Sequence, residues 1–552
     1  MPKKKKSEER IIPIKIKKTS HKEEESFWQD LPSEKKEPKL KEEIKVIEKK
    51  LHLEPSKKKK EFRSVKKISL SKEKKYSLKP LKFSLVVLGT LILSLVILFF
   101  SVLRPLWTRK YLEEGNKEYN LQRFTYALQN YQKALILNPY NSEILLKLSK
   151  LYWQKGLYNE ANSFAQKALN YNQKNAEIYF ILGETEIVNQ NYSEAEKYLL
   201  KAKEIAPNYL EIYPPLAFAQ IALNKKEEAQ KNNERAFLET PENFEVIYNL
   251  FILEVMNHNF DQAQEALQKL ELLKNYQSEQ RIKENLEFIE KIKNQSSESP
   301  YFHVLLGNFY LQNNLNSLAL ESFNKALIIN KNYRDAYLGL AEIYLQQKDY
   351  SKAQINLKKA EEIDSVYGLT DYLWSRFYAD QNNWTKAQDY LEQAIIKGYD
   401  NFSSRTKLAE IYLLKENWSK ALEQYLKITE SQNNLEIWER IIWLWSDKMN
   451  KQNQALDKAK KIVEENPENV LAYNILGEAY LYSNQLLEAQ EAFNQALSID
   501  NNFALTYYNL GLLYLKKNNS PQAEDNFIKA ADLDKKGNIC NRSYQKIKEL
   551  SN

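Results

Sequence analysis

The chain has 552 residues with 11 Gly, 15 Pro, one Cys and four His. So little Gly and Pro leaves few residues to punctuate strands and tight turns, which argues for helices on short connections and against an all-β or glycine-cradled nucleotide fold. The formal charge of +8 is unevenly spread: residues 1–82 hold 28 Lys and Arg against 14 Asp and Glu, and the remaining 470 hold 53 against 59. The basicity belongs to the tail, so the whole-chain charge gives no reason to expect nucleic-acid binding by the main body.

A lone thiol, Cys540, excludes an internal disulfide framework and a multi-cysteine zinc site. His21, His52, His258 and His303 are scattered, and no catalytic string surrounds any of them. His303 reads as a packed or rim histidine on a helical face. No catalytic, cofactor-binding or metal-binding residue is assigned, and no cofactor is expected.

Residues 1–82 carry KKKK at 3–6 and again at 57–60 among few aromatics. Such a segment buries too little apolar surface to offset its ordering entropy and is expected to be a disordered Lys-rich tail. Leu40, Ile44, Ile47 and Leu51 share one helical face, but over less than two heptads they amount to a nascent helix. Phe27 and Trp28 read as incidental aromatics in a charged stretch.

From Phe83 to Leu103 no residue is charged, and 16 of these 21 are Leu, Ile, Val or Phe. A helix of that length reaches about 30 Å, the thickness of a bilayer's hydrocarbon core, so 83–103 is expected to be a transmembrane helix. The run ends FFSVLRPLW, without the small-residue cleavage site of a signal peptide, and the anchor should be retained. Eight Lys and Arg in residues 63–82 face five in residues 104–123. That bias favours the N-terminus in the cytoplasm, where the tail lysines would meet anionic lipid, and the main body across the membrane.

Beyond the anchor the chain repeats itself. A marker alanine recurs at Ala127, Ala161, Ala195, Ala229 and Ala263, then at Ala319, Ala353, Ala387, Ala421, Ala455, Ala489 and Ala523, always 34 residues apart except for one interval of 56. A large residue stands four positions after the marker and usually Ala seven after, as in Tyr131 with Ala134 and Phe323 with Ala326. Leu, a small residue and Tyr stand thirteen, twelve and nine positions before it, as in Leu306, Gly307, Tyr310 and Leu476, Gly477, Tyr480. These offsets are helical on two successive segments, so each unit reads as a helical hairpin.

The period and the Leu-Gly, Tyr, Ala, Phe, Ala pattern, closed by Pro139, Pro207, Pro241 or Pro467 in four units, resemble the tetratricopeptide repeat family over residues 108–537. The resemblance implies an all-α, right-handed superhelical solenoid of about twelve hairpins, each burying its apolar face only by stacking on its neighbours. The expected domains are an array of five repeats over 108–270, a helical insertion over 271–300 that changes the array's direction, seven repeats over 300–537, and a C-terminal cap over 538–552. Pro214 and Pro215 fall near a first helix's start, where missing amide donors are tolerated. In the tenth repeat Trp443 replaces the usual small residue beside Trp438 and Trp445, which points to a repacked core.

Outside the tail, anchor and repeats no stretch is long enough for a catalytic domain, so no enzyme is expected. The resemblance implies instead a protein-binding scaffold whose first helices line a concave groove for a peptide or a partner's helix. Mapped by register, the groove candidates are Phe218, Tyr248, Tyr372, Arg376, Asn474 and Tyr508. Some family members grip a chaperone's C-terminal carboxylate with five polar residues; here the matching positions are Leu112, Asn116, Lys147, Glu177 and Ile181, of which Asn116 alone fits, so no such clamp is expected. The Asn-x-Ser/Thr triplets at Asn191, Asn383 and Asn417 fall in turns between paired helices and read as caps. The expectation is a membrane-anchored scaffold assembling proteins, in a bacterial envelope with the repeats outside the cytoplasm. The alternative is a receptor with cytosol-facing repeats that hands client proteins to a translocation machinery.

Overall fold

The computed structural model describes residues 88, 91, 93–273, 279–534 and 537–551, which form two units, 1–106 and 107–552. The Lys-rich tail of residues 1–82 lies outside the described residues, as does much of the first half of the expected span.

In the first unit residues 93–98 are helical and pass into a π-helical turn at Phe99–Leu103. Every large apolar side chain described from Leu88 to Leu103 is exposed, between 39% and 59%. Among the described residues no helix is long and apolar enough to cross a membrane.

The main body is an all-α repeat array. The described residues form 26 α-helices, from Arg104–Asn120 to Asn538–Ser551. Twelve hairpins account for most of them, for example Ser142–Gln154 with Tyr158–Tyr171 in the second repeat and Pro300–Gln312 with Asn316–Ile329 in the sixth. All twelve marker alanines are completely buried, because there the second helix lies against the first with room for one methyl group. The residue four positions on is buried in every repeat as well, from Tyr131 to Phe527, and it is large in most, with Ala165 standing in the second and Ala459 in the tenth. Phe323 shows why the small residue upstream is needed: a Cβ built on Gly307 of its own repeat would lie 2.5 Å from the ring, and one on Gly339 of the next repeat 2.2 Å. One aromatic ring thus fills two glycine notches and ties consecutive hairpins together.

The turns repeat as faithfully as the core. Five residues before each marker the backbone is left-handed, from Gln122 at φ 58° to Asn518 at φ 55°, with glycine only at Gly156. The next amide donates back to the tyrosine-position carbonyl, as in Leu315 N to Tyr310 O at 2.8 Å and Asn417 N to Tyr412 O at 2.8 Å, which ends each first helix within a single tight turn. Asn383, Asn417 and Asn519 then cap the second helix by accepting from the amides of Lys386, Lys420 and Gln522.

Departures from the pattern have local causes. In the fourth repeat a 3-10 turn at Leu210–Ile212 precedes helix Tyr213–Ala222, whose second and third residues are Pro214 and Pro215. In the tenth, Leu435–Trp443 passes into a π turn at Leu444–Lys448; Trp443 is half-buried, and four residues past the marker the usual large residue is Ala459, so large and small have changed places. Between the fifth and sixth repeats an extra helix, Glu279–Ile292, buries Ile282, Ile289 and Ile292 in a core shared with both. Nearby the array folds back on itself: Tyr192 OH donates to Asn314 O at 2.8 Å, joining the third repeat to the turn of the sixth.

Candidate protein-binding groove

The positions fifteen and eleven residues before each marker lie one helical turn apart on the same face of the first helix. Side chains at these positions meet across repeats. Arg376 donates through Nη1 to Glu342 Oε1 at 2.9 Å, joining the same position of the eighth and seventh repeats. The Arg542 guanidinium of helix Asn538–Ser551 lies 4.3 Å from the ring centroid of Tyr508. The face is thus bridged between the seventh and eighth repeats and between the twelfth and the C-terminal helix.

Of the six sequence-derived candidates, Phe218 and Arg376 are half-buried and the other four are buried. Phe218 meets Tyr192 edge to face, with centroids 6.0 Å apart. Tyr248 donates to Asn313 Oδ1, accepts from Asn285 Nδ2 at 3.3 Å and lies 4.6 Å under the Arg281 guanidinium. Asn285 and Arg281 belong to the extra helix, which covers Tyr248 on this side. Tyr372 shares a hydrogen bond with Ser403 at 2.9 Å, its ring 5.0 Å from that of Tyr399. Asn474 donates to Thr506 Oγ1 at 2.8 Å and to Val470 O at 2.9 Å. Tyr508 packs 5.6 Å from Phe527. Phe218 with Tyr248, Tyr372 with Arg376, and Asn474 with Tyr508 thus form three neighbouring pairs along the register rather than one cluster.

Register reasoning passed over the carboxylates on the same face, although Glu184 and Glu478 hold the offset of Phe218 and Arg376. Burial and the nearby Glu245 carboxylate push Glu184 up to about 8, and burial pushes Glu245 up too. Neither makes a hydrogen bond or ion pair among the described residues. Burial, with repulsion from Glu439, also pushes Glu478 up to about 8, but Glu478 accepts from Asn509 Nδ2 at 2.7 Å and feels the opposing charge of Arg542. Glu439 is raised by burial against the pull of Arg440 and Arg542.

The carboxylate-clamp positions are spent on the fold. Asn116 accepts from Tyr131 OH at 2.9 Å, Ile181 is buried, and Glu177 pairs with Lys150. His258 stacks on Phe260 at 5.9 Å, and His303 meets Phe302 at 5.4 Å; burial and Lys325 hold both imidazoles below their usual range. Among the described residues no three His, Cys, Asp or Glu side chains are grouped to hold a metal.

Comparison with known proteins agrees with the repeat pattern. Models described as TPR repeat and tetratricopeptide repeat match residues 477–518, 121–179, 372–434, and 176–209, 335–367 and 504–536. A fission yeast protein from Schizosaccharomyces pombe, anaphase-promoting complex subunit 3, is 25% identical over 183 residues, 31% of this chain and 27% of that protein, so the match spans about a quarter of the relative's length. Among solved structures, the APC/C hetero-tetramer Cut9-Hcn1 is 13% identical, covering 81% of this chain and 96% of that one at a TM-score of 0.32. Yeast Tom70 is 15% identical, covering 81% and 97% at a TM-score of 0.32. MamA is 24% identical, covering 30% and 96% at a TM-score of 0.26.

Proposed function

We propose that this chain, a tetratricopeptide repeat protein and as such a non-enzymatic scaffold for protein partners, is a single-pass membrane scaffold that gathers other proteins on the groove face of its first helices. The observation that carries the reading is the inner face of repeats three to five. Phe180 and Phe218 give it half-buried apolar side chains, and Glu184, with the exposed Glu245 close enough to act on its charge, makes no hydrogen bond or ion pair among the described residues. A partner segment with one apolar face and flanking Lys or Arg meets both demands: its apolar side chains pack on the phenylalanines, and its cations draw Glu184, which burial and Glu245 hold up at about 8, into the ionised form.

Anchoring rests on 83–103. Its described apolar side chains are all exposed, between 39% and 59%, while Ser94 Oγ and Ser101 Oγ donate to Leu91 O at 2.8 Å and Ile97 O at 2.6 Å. Hydroxyls bonded within their own helix, under a fully apolar exterior, suit hydrocarbon better than water. The Lys and Arg bias keeps the tail in the cytoplasm, against anionic lipid, and sends the repeats to the envelope side.

Topology is tested with Leu487→Cys, at a 72% exposed position, in a Cys540→Ser background. An impermeant maleimide should label it in intact cells. Labelling only after permeabilisation would invert the orientation and favour cytosol-facing repeats.

A further inference from the structure

The two ends of the array touch. Thr125, in the first repeat, donates through both its amide and its hydroxyl to Asp532 Oδ1, each at 2.7 Å. Lys155, at the turn of the second repeat, donates to the carbonyl of Asp532 at 2.7 Å, with its ammonium 4.8 Å from the ring of Phe124. Behind them Leu157, Ala531 and Cys540 form one buried cluster with Tyr152 and Tyr544 against it. Tyr544 also packs on the core of the first two repeats.

Three departures from the repeat register meet at this seam. Nine residues after the marker, Ile136, Leu238, Leu272, Ile328 and Ile396 are all at least 75% exposed, whereas Asp532 at the same position is half-buried and bonded. Lys155 is buried, though a lysine at a turn ordinarily reaches solvent. The second repeat has the one glycine among twelve turns, Gly156 at φ 72°. Gly537, at φ 87°, leans against it, so that a Cβ there would lie 3.0 Å from Lys155 O.

We infer that this seam is a latch: it holds the first two repeats against the twelfth and the C-terminal helix, opens as a unit without unstacking the repeats, and by opening admits a protein segment to the groove face. The last clause rests on the proposed groove; the latch itself does not. The opening is local because of how the seam is built. Each repeat-to-repeat interface buries a continuous row of Ala, Leu, Phe and Tyr, while the seam's own buried cluster is only Leu157, Ala531 and Cys540 with two half-buried tyrosines, and the hydrogen bonds across it converge on one aspartate. Burial also holds the Asp532 carboxyl above its ordinary range, against the Thr125 hydrogen bonds, which marks a charge paid for by docking.

Cys540, buried in the seam, reports its state in the full chain. In the unaltered protein its thiol should resist a soluble thiol reagent under native conditions. Asp532→Ala with Thr125→Val should raise its labelling rate at least tenfold while helicity and the unfolding midpoint stay close to those of the parent. Labelling that stays tied to global unfolding in both proteins would overturn the latch. In a Cys540→Ser background, Tyr126→Cys with Asp525→Cys, two exposed positions that face each other beside the seam and leave Thr125 and Asp532 in place, should be joined by a short bismaleimide in the native protein; absence of the cross-link would overturn end-to-end closure independently of the first result. A photo-reactive residue at Phe218 separates the two ideas. Adducts that persist when the ring is locked shut contradict gating and leave the groove standing. Adducts missing from both the locked and the open protein contradict the groove, while the thiol still decides the latch.

Discussion

In repeats three to five, Glu184 feels the Glu245 carboxylate and makes no ion pair among the described residues, whereas in the last repeats Glu478 is held by Asn509 and offset by Arg542. Both regions rest on the same frame of buried marker alanines and large residues. The difference shows that the frame and the face are written separately: stacking fixes the alanine at the marker and favours a small residue twelve before it and a large one four after, while the positions fifteen and eleven before it carry aromatic, charged and amide side chains alike. One region of the array answers its own inward charge, and the other, among the described residues, does not.

Breaking the shared frame has the largest effect. Phe323→Ala empties the space between Gly307 and Gly339 and should cost about 3–5 kcal/mol, read as a lower denaturation midpoint with loss of cooperativity between the sixth and seventh repeats. Arg281→Ala removes the stacking over Tyr248 of the fifth repeat and a hydrogen bond to Asn313 Oδ1 of the sixth at 2.7 Å, so the extra helix loses a tie to each. About 1–3 kcal/mol should be lost there, with faster amide exchange in 279–292.

The contrast in charge sharpens with pH. A carboxyl raised from 4.5 to about 8 by folding binds its proton more tightly in the folded state, so its contribution is fully present below pH 4.5 and is lost as the pH rises through 8. Glu184→Gln should flatten that decline in denaturation midpoints, and Arg542→Ala should steepen it by leaving Glu478 less compensated. The smallest effect comes from a turn. Lys348 holds φ 58° without being glycine, and Lys348→Gly should stabilise the chain by up to about 1 kcal/mol in the same unfolding measurement.

The array was legible because its register is dictated by contact. An alanine with room for one methyl group has no substitute, so Ala127 through Ala523 recur without exception. The left-handed turn residue left no such trace, since Asn, Gln, His, Lys and Glu all occupy it. Trp443 was readable as a repacking, but the π turn that follows it depends on tertiary packing that no period announces. On the groove face, register selects aromatic and Arg residues and passes over Glu184 and Glu245, because a period carries no sign of burial or charge; Asn474 is bonded within the array. The seam was invisible because Thr125 and Asp532 are 407 residues apart and neither breaks a local rule.

Photo-cross-linking in cells from Phe218 and from Ile355, a 61% exposed residue of a second helix, tests the scaffold most directly. The account predicts a discrete protein adduct from Phe218 that weakens when Glu184 and Glu245 are changed to Lys, and no such adduct from Ile355. The same adducts from both positions, or adducts from Phe218 indifferent to those carboxylates, would contradict it.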